Sequence, residues 1–406
     1  MKKILALLLA LCMVFALAAC GSSASSAPAA EEAPAEEAAP AAEEAPAAEE
    51  APAEEPAEEP AEAAGMSVAM ITDYGDITDQ SFNQTTYEAC KEYCEANGID
   101  FTYFKPASDS DEDRVSMIET AIDQDYNVIV MPGYAFAAAI AATVNEYEDV
   151  DFIALDVSEY DLTSAGLEEI PANLYSAVYQ EELCGYMAGF AAVKLGYTKL
   201  GFLGGMAVPA VIRYGYGFVQ GVDAAAAELG ADVSVNYAYG NQFYGDADIT
   251  AAMDTWYADG VEVVFACGGG IYTSVAEAAA KVDGKVIGVD VDQAGIIDGT
   301  YGEGMTVTSA MKGLAATVKT MLTAVQAGEF EGGKVENLGL VSENPEENYV
   351  QIPIASTQFD DNFSEADYEA LVAAMFGGEI TVSNDIDAAV TDFATVITVN
   401  DLGNIK

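Results

Sequence analysis

"VEVVFACGGGIYTSVAEAAAKVDGKVIGVDVDQ", residues 261–293, contains two near-continuous apolar runs, 261–269 and 285–292, with a helical pattern between them. A strand apolar on both faces is covered on both faces, as in a parallel sheet flanked by helices. The unit recurs. "SVAMITD" (67–73), "DFTYFKP" (100–106), "NVIVMPG" (127–133) and "DFIALD" (151–156) form one series, separated by helical stretches such as 82–96, where Phe82, Ala89, Cys90, Tyr93 and Cys94 share a face. After a helix expected near 175–195, "KLGFLGG" (199–205), "DVSVNYAYG" (232–240) and the two opening runs form a second. Two series predict an α/β chain with two doubly wound parallel-sheet lobes, and the length beyond one compact core agrees. "MTVTSAMKG" (305–313), "NYVQIPIAS" (348–356) and "ATVITVN" (394–400) read as further strands. Units added after two complete lobes predict a chain that crosses back, making a multi-strand hinge. The expected division is 66–172 with about 293–327 in lobe 1, and 173–292 with about 328–406 in lobe 2.

Upstream, Lys2 and Lys3 precede an apolar run from Ile4 to Ala19 that is shorter than the roughly 20 residues of a membrane span, so residues 1–19 read as a signal peptide. "LAAC" (17–20) resembles the bacterial lipobox, which implies cleavage before Cys20 and lipid on that cysteine. Residues 20–65 are Ala, Glu, Pro and Ser with an "AEEAPAEE" repeat. Proline every few residues breaks a helix and no apolar face exists to bury, so a disordered, self-repelling tether is expected, with a reach on the order of 100 Å.

The 68 acidic residues face 14 basic ones. Removing the tether's 13 glutamates (68 − 13 = 55) and Lys2 and Lys3 (14 − 2 = 12) leaves the folded part strongly negative. That field repels nucleic acid and polyanionic ligands. The absence of histidine removes Ser-His-Asp and Cys-His catalysis and histidine zinc sites. Cys12 leaves with the signal. Cys90, Cys94, Cys184 and Cys267 sit among apolar residues without a CxxC spacing, and are expected as small core residues.

Ligands of open parallel sheets bind beyond the carboxyl ends of the strands. The residues there are Asp73 with the loop to Asn83, Asp156, the glycines before Met206, "CGGG" at 267–270 and "DVDQ" at 290–293. Polar and glycine-rich loops at five strand ends predict a cleft lined by carboxylates, amides and exposed backbone N–H groups. The stretch "DYGDITDQSFNQ" (73–84) spaces Asp73, Asp76 and Asp79 by three, unlike the alternating ligands of a calcium loop. Asp79 is expected to cap a helix starting at Gln80 or Ser81. Phe82 fits either that helix's core face or the cleft; Asn83 offers a donor and an acceptor to a base edge.

"DxGDxxDxSFNQ" (73–84), "GFLGGMxVPxVxRxxxGFxxG" (201–221), the glycine turn after "VEVVFA", "IGVDVDQ" (287–293) and "TSAMKG" (308–313) together resemble the basic membrane protein family. These are lipid-anchored solute-binding proteins of ABC transporters, many of which bind purine nucleosides. The resemblance covers 67 to about 356 and implies a type I periplasmic binding protein-like fold. It also implies that Phe82 stacks on the base, that Asn83 bonds the base edge with Asp73 nearby, and that Asp156 helps hold the base. Asp290 and Lys312 would then take the ribose, Gly268, Gly269 and Gly270 would admit the sugar, and Met206 with Phe243 or Tyr239 would cover the far face of the base. Ile271 and Tyr272 depart from the family's small residues, and Tyr272 is expected to narrow the sugar end.

The function so implied is capture of a nucleoside for an ABC transporter permease at the extracytoplasmic face of the membrane, without enzymatic activity, metal or cofactor. A metal-dependent nucleoside hydrolase using the Asp loop, or a surface sensor of the same fold binding a sugar or other small polar solute, is the alternative. No P-loop is present, and "CGGGIYTSV" lacks the Lys-Ser/Thr of one, so the expected ligand carries no phosphate.

Overall fold

A computed structural model describes residues 65–73 and 75–406; the expected signal peptide, Cys20 and the acidic tether lie outside them. Thirteen strands occur among the described residues: β1 (Ser67–Ile71), β2 (Asp100–Phe104), β3 (Val128–Pro132), β4 (Asp151–Leu155), β5 (Leu174–Tyr179), β6 (Lys199–Gly204), β7 (Ser234–Tyr239), β8 (Val263–Cys267), β9 (Lys285–Asp290), β10 (Thr306–Lys312), β11 (Lys334–Leu338), β12 (Val350–Gln351) and β13 (Thr398–Asn404). They form a six-stranded sheet, ordered β11-β5-β4-β3-β1-β2, and a seven-stranded sheet, ordered β12-β10-β9-β8-β6-β7-β13. All pairs are parallel except β10 with β12. Every residue of β3 and of β8 is buried, as strands covered on both faces require.

The sheets divide the chain differently from the segments expected. Leu174–Tyr179, read as the start of a helix, is a strand of the first sheet, and the helix begins at Glu181. β10 belongs to the second sheet although it lies within 293–327. β11 was not expected as a strand and joins the first sheet. Of "NYVQIPIAS" only Val350 and Gln351 pair. Sheet membership depends on which edge a strand meets, and no periodicity within the strand records that.

The chain crosses between the sheets after β5, β10 and β11. The three crossings are bonded to one another. Gln180 N–H donates to the Leu338 carbonyl at 2.9 Å and Gly313 N–H to the Tyr349 carbonyl at 2.7 Å, and within the third crossing Tyr349 N–H donates to the Gly339 carbonyl at 3.1 Å. One apolar core runs past the crossings, from Val68 and Met70 in the first lobe to Phe202 and Phe265 in the second. Separate clusters cover the other face of each sheet. Among the described residues no helix is long and apolar enough to cross a membrane.

Beside the first crossing, helix Glu181–Lys194 packs against helix Pro209–Leu229 through two pairs of glycines four apart. A Cβ on Gly185 would lie 2.3 Å from the Tyr214 carbonyl oxygen, and one on Gly189 2.2 Å from that of Phe218. One on Gly217 or Gly221 would lie 2.0 Å from the carbonyl oxygen of Glu182 or Tyr186. Backbone meets backbone here, so the polar residues of both helices stand at fixed positions.

Candidate ligand-binding cleft

The carboxyl ends of both sheets face a cavity of about 500 Å³. From the first lobe it takes Asp73 after β1, Gly133 and Tyr134 after β3, and Asp156 after β4. From the second come Cys267 at the end of β8 with Gly268 and Gly269 after it, Asp290 at the end of β9 and Lys312 at the end of β10. Asp156 and Asp290 hold φ of 60° and 64°, a left-handed conformation that non-glycine residues rarely adopt away from constrained sites. Such a bend turns each carboxylate out of its strand and into the cleft.

Asp79 accepts backbone N–H bonds from Ser81 at 2.9 Å, Asn83 at 3.0 Å and Gln84 at 3.0 Å, so it caps the helix that starts at Phe82. Burial pushes its carboxyl up to about 6, and these donors oppose the rise. Asp76 points away to Lys105 at 2.8 Å, and Asp73 accepts from Gly75 N–H and from Asn83 Nδ2, both at 3.0 Å. Asp73 and Asp79 therefore share Asn83 as a donor, while Asp76 turns to Lys105. Among the described residues no group of three acids or cysteines is arranged to hold a metal. Asn83 is buried; its Nδ2 donates to Asp73 and to Asp79, leaving its buried Oδ1 without a protein partner.

The charged centre joins both lobes. Lys312 Nζ lies 2.5 Å from Asp156 Oδ2, 3.4 Å from Glu181 Oε1 and 3.8 Å from Asp290 Oδ1. Arg213 Nε donates to Glu181 Oε2 at 2.6 Å. Asp290 accepts from Ser81 Oγ at 2.5 Å and from the Tyr214 hydroxyl at 3.3 Å. The Lys312 ammonium also sits 4.7 Å from the centre of the Phe82 ring, within cation–π range. Burial pushes the Asp156 carboxyl up to about 6 against the pull of Lys312. Burial would likewise raise Glu181, but Arg213 and Lys312 hold it below its ordinary value. Burial opposes the charge on Lys312, and the carboxylates of Asp156, Glu181 and Asp290 outweigh it and raise its pKa. Three acids face two cations, so protonation of Asp156 leaves this group neutral. Asp156 Oδ1 is buried and, like Asn83 Oδ1, meets no protein donor.

Phe243 reaches the cavity because glycine loops let it approach: a Cβ on Gly205 would lie 2.5 Å from its ring, and one on Gly268 2.8 Å from Gly205 Cα.

Of the residues singled out in the sequence, Asp73, Phe82, Asn83, Asp156, Phe243, Gly268, Gly269, Asp290 and Lys312 line this one cavity. Met206, Gly270 and Tyr239 do not. Gly270 N–H supports the Phe243 loop through its carbonyl at 2.9 Å, and the Tyr239 hydroxyl is bonded to that of Tyr237 at 2.8 Å. Tyr272, expected to narrow the sugar end, is buried in the core of the second lobe's other face. Cys90, Cys94, Cys184 and Cys267 are buried free thiols, as expected, and Cys267 also touches the cavity. Sequence reasoning missed Arg213 and Tyr214 on the cavity wall, Glu181 behind it, and Ile386 and Asp387 at its edge. That it is one of only two arginines in so acidic a chain was the available signal for Arg213.

Residues 66–372 match the family described as ABC transporter substrate-binding protein, PnrA-like. The chain is 28% identical to the ABC transporter nucleoside-binding protein BmpA of Lactococcus lactis subsp. cremoris, over 68% of this chain and 79% of that one. It is 29% identical to the CD4+ T-cell-stimulating antigen of Listeria monocytogenes, over 68% and 77%. Among solved structures, a solute-binding protein of an ABC transporter system from Conexibacter woesei superposes with a TM-score of 0.61, at 23% identity, over 79% of this chain and 99% of that one.

Proposed function

Because the chain belongs to the PnrA-like family of ABC transporter substrate-binding proteins, we propose that its cleft captures a nucleoside, preferentially a purine. Lipid on Cys20 would hold it at the outer face of the membrane, where it hands the ligand to the transporter's permease. The observation that carries the nucleoside reading is the pair of buried acceptors without protein donors, Asn83 Oδ1 and Asp156 Oδ1, in a cavity that also presents the rings of Phe82 and Phe243. A buried acceptor left unpaired costs about 1–3 kcal/mol, so the site selects a guest with donors at those points. Ring amino groups and sugar hydroxyls are such donors. A planar base stacked on Phe82 contributes roughly 1–3 kcal/mol more. The charges of Asp156, Glu181, Asp290, Lys312 and Arg213 sum to zero with Asp156 protonated and to one negative charge with it ionised, which suits an uncharged solute over an anion, and the Asp290 carboxylate can accept from neighbouring hydroxyls.

Thermal shift and calorimetry with adenosine, guanosine, inosine, uridine and ribose test this. Purine nucleosides should raise Tm, and Phe82→Ala should weaken their binding about tenfold or more. Failure of every nucleoside to bind would sink the reading. Cys20→Ser should move the protein from the membrane fraction to the soluble one; retention there would remove the lipid anchor.

A further inference from the structure

The family match ends at residue 372, and residues 377–406 form a strap that returns to the ligand cavity. Its course is fixed by a polar stripe on helix Pro209–Leu229. Gln220 makes paired bonds with the Ser383 backbone, its Oε1 accepting at 2.8 Å and its Nε2 donating at 2.9 Å. The Tyr216 hydroxyl donates to the Ala388 carbonyl at 2.9 Å. Asp223 accepts the N–H groups of Thr395 at 2.7 Å, Val396 at 2.8 Å and Ile397 at 3.3 Å, after which the strap becomes β13 beside β7. Positions 216, 220 and 223 share one helix face. The turn at 385–387 is thus pinned on both sides, and Asp387 N–H closes it onto Asp385 Oδ1 at 3.0 Å.

What the turn presents is Ile386 and Asp387. Ile386 lies between the main cavity and a smaller one of about 150 Å³ that includes Val178 and Asn337 of the first lobe, so the strap reaches the seam between lobes. Asp387 both lines the cavity and is exposed, which places it at the opening, as is Tyr160 from the opposite lobe.

We propose that Asp387 is a specificity-determining residue, a carboxylate that the strap holds at the opening of the cleft to turn away anionic, phosphorylated forms of the solute. The choice of probes rests on the nucleoside reading; the role of the strap rests on its own anchoring. A fixed negative charge at the opening raises the energy of a bound ligand whose phosphate projects there and leaves a neutral solute without that penalty.

Competition calorimetry would compare adenosine with adenosine 5′-monophosphate, and ribose with ribose 5-phosphate. In Asp387→Asn the preference for the neutral member of a pair should narrow roughly fivefold at low salt, and about 0.5 M salt should erase the difference from wild type. Glu379→Gln removes the same charge from an exposed part of the strap outside the cavity, and should leave the preference unchanged. A preference in Asp387→Asn within twofold of wild type, or one that Glu379→Gln narrows equally, overturns the proposal. If only the ribose pair binds, the nucleoside reading falls while that pair still decides the role of Asp387.

Discussion

Glu182 is buried, its Oε2 meets no protein donor, and burial lifts its carboxyl to about 7. An unfolded glutamate titrates near 4.3, so folding takes up a proton between about 4.3 and 7, and stability falls as pH rises through that window. The contribution at stake is at most about 4 kcal/mol. Asp79 and Asp156, raised to about 6, act in the same direction between about 4 and 6. Tm measured from pH 5 to 8 should decline toward alkaline pH in the wild type and decline less in Glu182→Gln; parallel curves would show that Glu182 does not titrate there. The acids of the cleft were readable because each stands at the carboxyl end of a strand or within two residues of it, as Asp73, Asp156 and Asp290 do. Arg213, Tyr214 and Glu181 come from helices, where an amphipathic pattern marks the buried face but not the turn that reaches a cavity. Ile386 and Asp387 sit on an irregular segment with no pattern at all.

Helices Glu181–Lys194 and Pro209–Leu229 carry Glu181 on one side and Arg213 and Tyr214 on the other, and their four glycines set the spacing. Alanine at Gly221 would gain up to about 1 kcal/mol of intrinsic helix preference. Its Cβ would meet the Tyr186 carbonyl oxygen at 2.0 Å, a backbone clash with no rotamer to relieve it. Overpacking of this kind costs about 1–3 kcal/mol, so Gly221→Ala should lower the urea midpoint and weaken ligand binding together. A midpoint equal to or above wild type would mean that the helices part without penalty. Most strands were legible as buried apolar runs with ends within a residue or two. β5 was not, because "LYSAVY" is parted by only Gln180, Glu181 and Glu182 from a long apolar helical stretch, and short apolar runs do not reveal their own period. β11 was missed because "KVENL" is half polar and at an edge.

At the scale of the molecule, two sheets share a single run of core, and their three connecting segments are tied by backbone hydrogen bonds. Hinges of this type absorb rotation in a few residues while the lobes stay rigid. A solute that bridged Phe82 and Asp156 on one lobe and Asp290 on the other, as proposed for a purine nucleoside, would favour the closed arrangement. Small-angle scattering should therefore show a smaller radius of gyration with ligand than without, and no change would place binding and closure at odds. Two lobes and a hinge followed from the repeated strand pattern, whereas the partners of β5, β10 and β11 depend on contacts far apart in sequence.

The same interleaving governs how the protein can be made. Neither sheet is drawn from one continuous stretch: the first gains β11 from residues 334–338 only after the second has taken β6 to β10. A growing or partly translocated chain therefore holds an unfinished first half, with the side of β5 still bare, until nearly everything downstream has arrived. Cutting within 195–198 would leave the first piece with β5 bare and the second with its own sheet complete but β11 unpartnered, so the first should regain its full sheet only when the two are mixed.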